Sequence, residues 1–376
     1  MKKLLAILLS ASIIISAAAC SNTVSDNEAD VSEGTFESAA ETAVSEEVQS
    51  SDYPAGSAEE KLENMGFKGV VYAIKDGEPC IEYTAGTMKN GAEITLDTPV
   101  PVGSDSKHIC AAAIMYLQEQ GKLSVDDKIV KYFPEYENGG EITIRNLLNM
   151  TSGIHEITVD KLSKQLSVDN TKAENVAIIK DYVFNKTLQY EPGYTYSYCN
   201  ANYFLLSNIA EQVSGKDYSE LLHEIFFEPL GMTHTGTVDE LEGSPDWADG
   251  MTYDLDDVCP GGAMGSGDVI TSASDMRIWL EALSSGKAIS EESFSAMTEY
   301  TVTPAQPKVP YGFGLALKDD GSVGHAGHIN SYAANISIVK DRSFTMFMAS
   351  EEIGVDTLQD IMFRELIPCV LEDTGE

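Results

Sequence analysis

Positive charge is scarce in this sequence. Its 376 residues carry 24 Lys and Arg against 60 Asp and Glu, a formal net charge of -36. A nucleic-acid-binding face needs clustered Lys and Arg to release counterions, so nucleic acid is excluded as a partner. The shortage is most extreme between Cys20 and Lys61, where neither residue occurs. Cysteine is sparse as well. The six, at 20, 80, 110, 199, 259 and 369, form no CxxC pair and have no His at ligand spacing. That pattern indicates neither a zinc site nor a disulfide framework, and each Cys is expected to be a small buried hydrophobe. There is no internal repeat. The remaining composition is ordinary for a globular protein, and the length suits one large domain or two modest ones.

Long apolar runs are lacking, with one exception too short to span a bilayer comfortably. "MKKLLAILLSASIIISAAACSN" has two lysines, an apolar run and small residues up to Cys20, which is the grammar of an export signal. It resembles a bacterial lipoprotein signal, with Ala17 where such signals more often carry Leu. The resemblance implies removal of residues 1–20 as a signal, lipid on Cys20, and a domain anchored to the outer face of a bacterial cell membrane. An odd number of cysteines then remains, so they cannot all pair. Residues 21–58 hold Asp and Glu among Ser, Ala, Thr and Val, without apolar periodicity. They are expected to be a disordered acidic tether, extended by self-repulsion.

From residue 59 to 376 the texture is that of a folded domain. "FKGVVYAIKDGEPCIEYTAG" predicts a β-hairpin turning at Asp76-Gly77. Ile109, Cys110, Ala113, Ile114 and Leu117 recur at helical spacing behind Ser104, and Gly121 closes that helix. The middle, about 125 to 300, reads as mostly helical with Gly/Pro-rich loops. "SYAANISIV", Asp341-Arg342 and "SFTMFMAS" predict a second hairpin, and "VDTLQDIMFREL" a closing amphipathic helix. Strands at both ends with helices between predict an α+β fold, in which an antiparallel sheet built from the N- and C-terminal strands is flanked by helices and an inserted helical region.

Chemistry concentrates at the head of the first buried helix, "PVGSDSKHIC". Residues three apart share a helix face, so Ser104 and Lys107 are neighbours. A serine hydroxyl becomes a nucleophile when a base takes its proton, and a lysine serves if burial lowers its pKa toward neutrality. Ser106 points elsewhere, and His108 remains an alternative base. The same Ser-x-x-Lys spacing recurs at Ser284 to Lys287, ending a helix at a Gly, and at Ser337 to Lys340, along a strand whose faces alternate. Only the copy at 104 opens a buried helix.

The chain from "PVGSDSKHIC" through "ITIRNLLNMTSGI", "YEPGYTYSYCNANYFLL" and "GHAGHINSYAANISIV" resembles the penicillin-recognising serine hydrolases: class C β-lactamases, D,D-carboxypeptidases and related esterases. The resemblance covers about residues 60 to 370 and implies a β-lactamase/transpeptidase-like fold with three motifs in one cleft. The second falls on Tyr198-Cys199-Asn200. Tyr198 is expected to relay protons, as phenolate or phenol, and Asn200 to hold the substrate's acyl side chain. "YEN" at 136–138 and "SDN" at 25–27 are decoys, one before a Gly-Gly turn and one in the tether. For the third motif His234-Thr235-Gly236 competes with His325-Ala326-Gly327. Its position before the C-terminal hairpin selects the latter. The oxyanion hole implied is the backbone N–H of Ser104 and of His328.

Two departures stand out. Ala326 replaces a Thr whose hydroxyl helps bind the carboxylate of penicillins and D-Ala peptides, and Met150 replaces a His, where packing is the expected effect. The function implied is hydrolysis of an ester or amide through an acyl-enzyme on Ser104, with no metal or organic cofactor. D-alanyl-D-alanine carboxypeptidase or β-lactamase activity is the alternative within the family. An alternative of another class is a surface lipoprotein that binds β-lactams or peptidoglycan without turnover. Expected partners are a small-molecule or cell-wall peptide or ester substrate and the membrane, with the protein itself a monomer.

Overall fold

The structure, a computed structural model, describes residues 57–88, 91–157, 162, 165–243, 259–329 and 331–371. Cys20, the signal and nearly all of the tether lie outside the described residues. The first ordered element is helix α1 (Ala58–Met65), opened by a reciprocal capping pair between Ser57 and Glu60 and closed at Gly66 in the left-handed region. Strands β1 (Gly69–Lys75) and β2 (Glu78–Ala85) follow, joined at Asp76 and Gly77. Both turn residues have positive φ, which is the turn geometry that matches the twist of a hairpin.

After short strand β3 (Val100–Pro101) comes a 3-10 turn, Gly103–Asp105, and then helix α2 (Ser106–Glu119). The middle of the chain supplies α3 (Ile144–Leu148), α4 (Lys172–Phe184), α5 (Asn200–Ser214) and α6 (Tyr218–Leu222). Strands β4 (Gly236–Thr237) and β5 (Val269–Thr271), helices α7 (Ala273–Ser284) and α8 (Glu291–Met297), and β6 (Ala316–Leu317) come next. Strands β7 (Val323–Ile329), β8 (Tyr332–Val339) and β9 (Phe344–Ser350) precede the closing helix α9 (Val355–Asp360).

The main sheet has the order β2-β1-β9-β8-β7-β6, and every pairing is antiparallel. The two ends of the domain meet where Val70–Lys75 pair with Phe344–Ala349, as the sequence predicted. Alternation sorts the strand side chains into two cores. Val70, Tyr72, Ile74, Ile336 and Phe347 face the helices α2, α5 and α7, whereas Val71, Ala73, Met346 and Met348 face Leu62 of α1 and Leu358, Ile361 and Met362 of the C-terminal helical run. The chain is therefore a sandwich of helices on both faces of one sheet.

The helical middle also contains a feature the sequence reading lacked, a three-stranded sheet of order β3-β5-β4. Its strands are two or three residues long, too short for period-two patterning. Its role is positional. Ser106 Oγ accepts from Val269 N at 2.9 Å and donates to Gly103 O at 2.7 Å, so β5 holds the turn at Ser104.

Helix α2 is buried nearly all round, from Ser106 to Met115 and again at Leu117. Such a helix runs through the centre of a protein instead of along its surface. A lysine on its first turn is thereby stripped of water.

Candidate active site

Ser104 is half-buried at the mouth of this arrangement, and two proton-bearing groups converge on it. Lys107 Nζ is 2.9 Å from Ser104 Oγ, and Tyr198 Oη is also 2.9 Å from it. The lysine is fully buried and donates a second hydrogen bond to the Ser266 carbonyl at 2.5 Å. Burial drives its pKa from 10.5 down to about 7, and the Glu156 carboxylate opposes that drop. Lys107 is therefore poised to exchange a proton near neutrality. Burial pushes the Tyr198 phenol well above its ordinary value. Tyr198 thus keeps its proton, which corrects the expectation that it could rest as a phenolate.

His108 is not a base for Ser104. Its Nε2 accepts from Trp279 Nε1 at 2.7 Å, and burial pushes its pKa to about 3. It belongs to the packing of α2 on α7.

Tyr198 precedes the N-terminus of α5. Its position is fixed from an unexpected direction, because Met150 Sδ accepts from Cys199 N at 3.4 Å and from Asn202 Nδ2 at 3.2 Å. Met150 has φ +60°, a backbone conformation that costs a residue with a Cβ some energy. The packing role expected for it thus extends to holding the second motif. Asn200 opens α5, and both its backbone N and its Nδ2 meet Glu156 Oε2, at 2.8 and 3.3 Å. Glu156 was not singled out in the sequence. Burial raises its pKa and the Asn200 amide works against this, so the carboxylate sits on the positive end of α5 with Lys107 close by.

The third motif is on β7, where His325, Ala326 and Gly327 pair with Ile336, Asn335 and Ala334 of β8. Its two glycine contacts are demanding. A Cβ on Gly327 would lie 1.8 Å from Val102 O, and one on Gly103, at φ +52°, would lie 2.8 Å from His328 N. These contacts bring the backbone of His328 against the residue that precedes Ser104, the juxtaposition an oxyanion hole requires. His325 is buried; its Nδ1 is 2.8 Å from Ala326 O and its Nε2 3.0 Å from Tyr311 Oη. Tyr311 in turn lies edge-on to Tyr198 with ring centroids 6.2 Å apart.

The competing triplet at 234–236 is elsewhere. His234 N donates to Asp275 Oδ2 at 2.6 Å, and Gly236 is in β4 of the small sheet. Three other decoys are likewise structural: Ser284 Oγ donates to Leu280 O, Ser337 is buried in β8, and Tyr136 stacks on Phe184, while the one at 25–27 lies outside the described residues. The cysteines depart in part from expectation. Cys110 and Cys199 are buried, while Cys80, Cys259 and Cys369 are half-buried, and no disulfide joins any of the five among the described residues. Among the described residues no group of three or more His, Cys, Asp or Glu could hold a metal ion.

Fold and site together define a class: a serine one helical turn from a desolvated lysine, at the edge of an antiparallel sheet. The chain belongs to the Beta-lactamase family, whose model matches residues 57–358. It is 31% identical to the PbpX protein of Bacillus subtilis (strain 168), over 68% of this chain and 63% of that one. It is 26% identical to a D-aminopeptidase of Brucella anthropi, over 71% of this chain and 52% of the relative. The match thus spans less than two thirds of either relative's length. Among solved structures, the D-amino acid amidase of Ochrobactrum anthropi SV3 superimposes with a TM-score of 0.68 at 22% identity, covering 83% of this chain and 96% of that one.

Proposed function

We propose that the protein is a serine hydrolase that cleaves an ester or amide bond through an acyl-enzyme on Ser104. The observation that carries this reading is the Ser104 hydroxyl held 2.9 Å from both the Lys107 amine and the Tyr198 phenol in a desolvated site. The neutral Lys107 amine takes the Ser104 proton as Oγ attacks the substrate carbonyl. The N–H groups of Ser104 and His328 receive the oxyanion. Tyr198 gives its proton to the departing oxygen or nitrogen and regains one from the Lys107 ammonium. Water then attacks the acyl-enzyme, the same pair takes its proton, and the acid leaves.

The walls of the cleft favour an acyl group that carries a free ammonium. Ala326 has no hydroxyl to bind a substrate carboxylate, while the Glu156 carboxylate lies at the Asn200 end, where the family holds the acyl side chain. A D-aminopeptidase among the relatives supports this choice over β-lactam or D,D-peptide substrates. The test offers purified protein D-alanine p-nitroanilide, a D-alanyl ester, their N-acetylated forms, a chromogenic cephalosporin and an acylated D-Ala-D-Ala peptide. The free-amine substrates should turn over fastest, and Ser104→Ala should abolish the reaction. Faster turnover of the cephalosporin or the acylated peptide would overturn the substrate reading. A stoichiometric burst without turnover on every compound would replace the hydrolase with a binder. Equal activity in Ser104→Ala would remove the mechanism.

The signal-like N-terminus supports a lipoprotein that works outside the cell membrane with Cys20 as its anchor. Metabolic labelling with an alkyne fatty acid should mark the full chain and not Cys20→Ser; label in both would refute the anchor.

A further inference from the structure

Tyrosine is concentrated where the chain enters the second motif. "YTYSY" sets Tyr194, Tyr196 and Tyr198 two residues apart. The Tyr194 carbonyl accepts from Ala305 N at 3.1 Å and Tyr196 N donates to Gln306 Oε1 at 3.1 Å, whereas Ser197 N donates to Met150 O at 2.9 Å. Backbone groups that bond to opposite sides by turns define an extended run, in which side chains two apart share a face. The rings agree for the inner pair. Tyr196 and Tyr198 both lie against Tyr311, with centroids 5.8 and 6.2 Å from its own. Exposure rises outward along this face, from half-buried Tyr198 and Tyr196 to Tyr194, which is 51% exposed. Among the described residues four large apolar side chains are exposed, and three of them, Tyr194, Tyr300 and Val302, belong to this run and to the segment 300–309 bonded to it. Apolar side chains gathered in this way at the lip of a cleft mark a place where a ligand covers them.

We propose that Tyr194, Tyr196 and Tyr311 form a leaving-group subsite for an apolar, aromatic amine or alcohol, with Tyr194 as its specificity-determining outer ring. The direction follows from Tyr198. Its hydroxyl, 2.9 Å from Ser104 Oγ, hands its proton to the departing atom, so whatever that atom carries extends outward from Tyr198. The tyrosine run leads one way from there, and Asn200 with Glu156, at the acyl end, lies the other way along the chain. Aromatic rings take up a flat apolar group through buried area and through edge and face contacts. The wall is also uncharged at neutral pH. Burial pushes the Tyr196 phenol up to about 12 and, with Lys107 nearby, pushes the His325 imidazole down to about 3. A leaving group that ends in a carboxylate therefore finds no cation on these rings. The assignment to the leaving group rests on the hydrolase reading; the affinity of the rings for an aromatic group does not.

The test compares amides that share the fastest acyl group of the panel above and differ in the amine: benzylamine, 2-methoxyethylamine or glycine, all of similar basicity. In the parent, kcat/KM for the benzylamide should exceed that for either of the others by roughly tenfold. Tyr194→Phe keeps the ring and should keep that ratio, whereas Tyr194→Ser should lower it by roughly fivefold. Because each ratio is taken within one protein preparation, partial unfolding of a variant does not move it. Equal rates on the three amides in the parent, or a ratio unmoved in Tyr194→Ser, would overturn the proposal. If no compound of the panel turns over, the hydrolase reading fails by itself and the rings are tested without chemistry. Saturation-transfer NMR with N-benzylacetamide on the Ser104→Ala protein should mark the benzyl protons, and adding Tyr194→Ser should weaken that signal severalfold. No benzyl signal, or the same signal in both proteins, would remove the subsite.

Discussion

At the scale of single residues, the site turns on one lysine whose charge is set by its surroundings. Lys107 loses its proton at about 7, so the kcat/KM of a neutral test ester should rise with pH through that region and level off above it. Glu156 holds the lysine's pKa up, so Glu156→Gln should move the midpoint of the profile to lower pH; a move to higher pH would contradict the electrostatic account. Ser104, Lys107 and Tyr198 were legible in the sequence, the first two because a three-residue spacing on a helix is a covalent guarantee of proximity. Glu156 and Ser266 were not. Their importance comes from burial and from contacts across long stretches of chain, such as Lys107 with Ser266, and neither leaves a local pattern. Whether His108 or Lys107 serves Ser104 was equally hidden, because only the packing of Trp279 against His108 decides it.

At the scale of elements, the cleft exists because β7 and the turn at Ser104 touch backbone to backbone. Gly327→Ala would force a Cβ to 1.8 Å from Val102 O, so the strand must retreat from the nucleophile. We expect a loss of about 3 kcal/mol or more in urea denaturation and a larger fall in activity than in protein yield. Gly321→Ala is the control. Its φ is +83° but nothing lies within 4 Å of the added Cβ, so only the backbone cost of about 1 kcal/mol should appear. Similar losses in the two variants would mean that the close approach is not what matters. Both hairpins of the main sheet were readable, since three of their strands are runs of seven or eight residues buried on both faces, the fourth is a one-sided strand, and one hairpin has an Asp-Gly turn. The small β3-β5-β4 sheet escaped because its pairing is dictated by where α2 and β5 must sit, not by its own few residues.

At the scale of the whole molecule, the fold supports a site that works against its own stability. In the unfolded chain Lys107 has an ordinary pKa of 10.5, whereas in the folded protein the value is about 7. Below pH 10.5 the unfolded state takes up a proton that the folded state refuses, so stability is lost as pH falls from 10.5 to about 7 and changes no further from this group below that. The shift corresponds to at most about 5 kcal/mol, at 1.36 kcal/mol per unit. Asp268 acts with the opposite pH dependence. Burial raises its pKa from 3.8 to about 7, so its contribution is fully present below 3.8 and is lost as pH rises through the folded value. The two groups press on the same central helix and loop, because the loop that carries Asp268 also offers the Ser266 carbonyl to Lys107. Replacing the lysine with an apolar side chain of similar length removes its share of the burden. Lys107→Met should therefore be inactive yet melt higher than the parent at pH 7.5, with a gain of a few kcal/mol in denaturant titrations that shrinks toward zero as the pH approaches 10.5. A variant less stable than the parent at pH 7.5 would mean that the hydrogen bonds to Ser104 and Ser266 outweigh the cost of burying the amine.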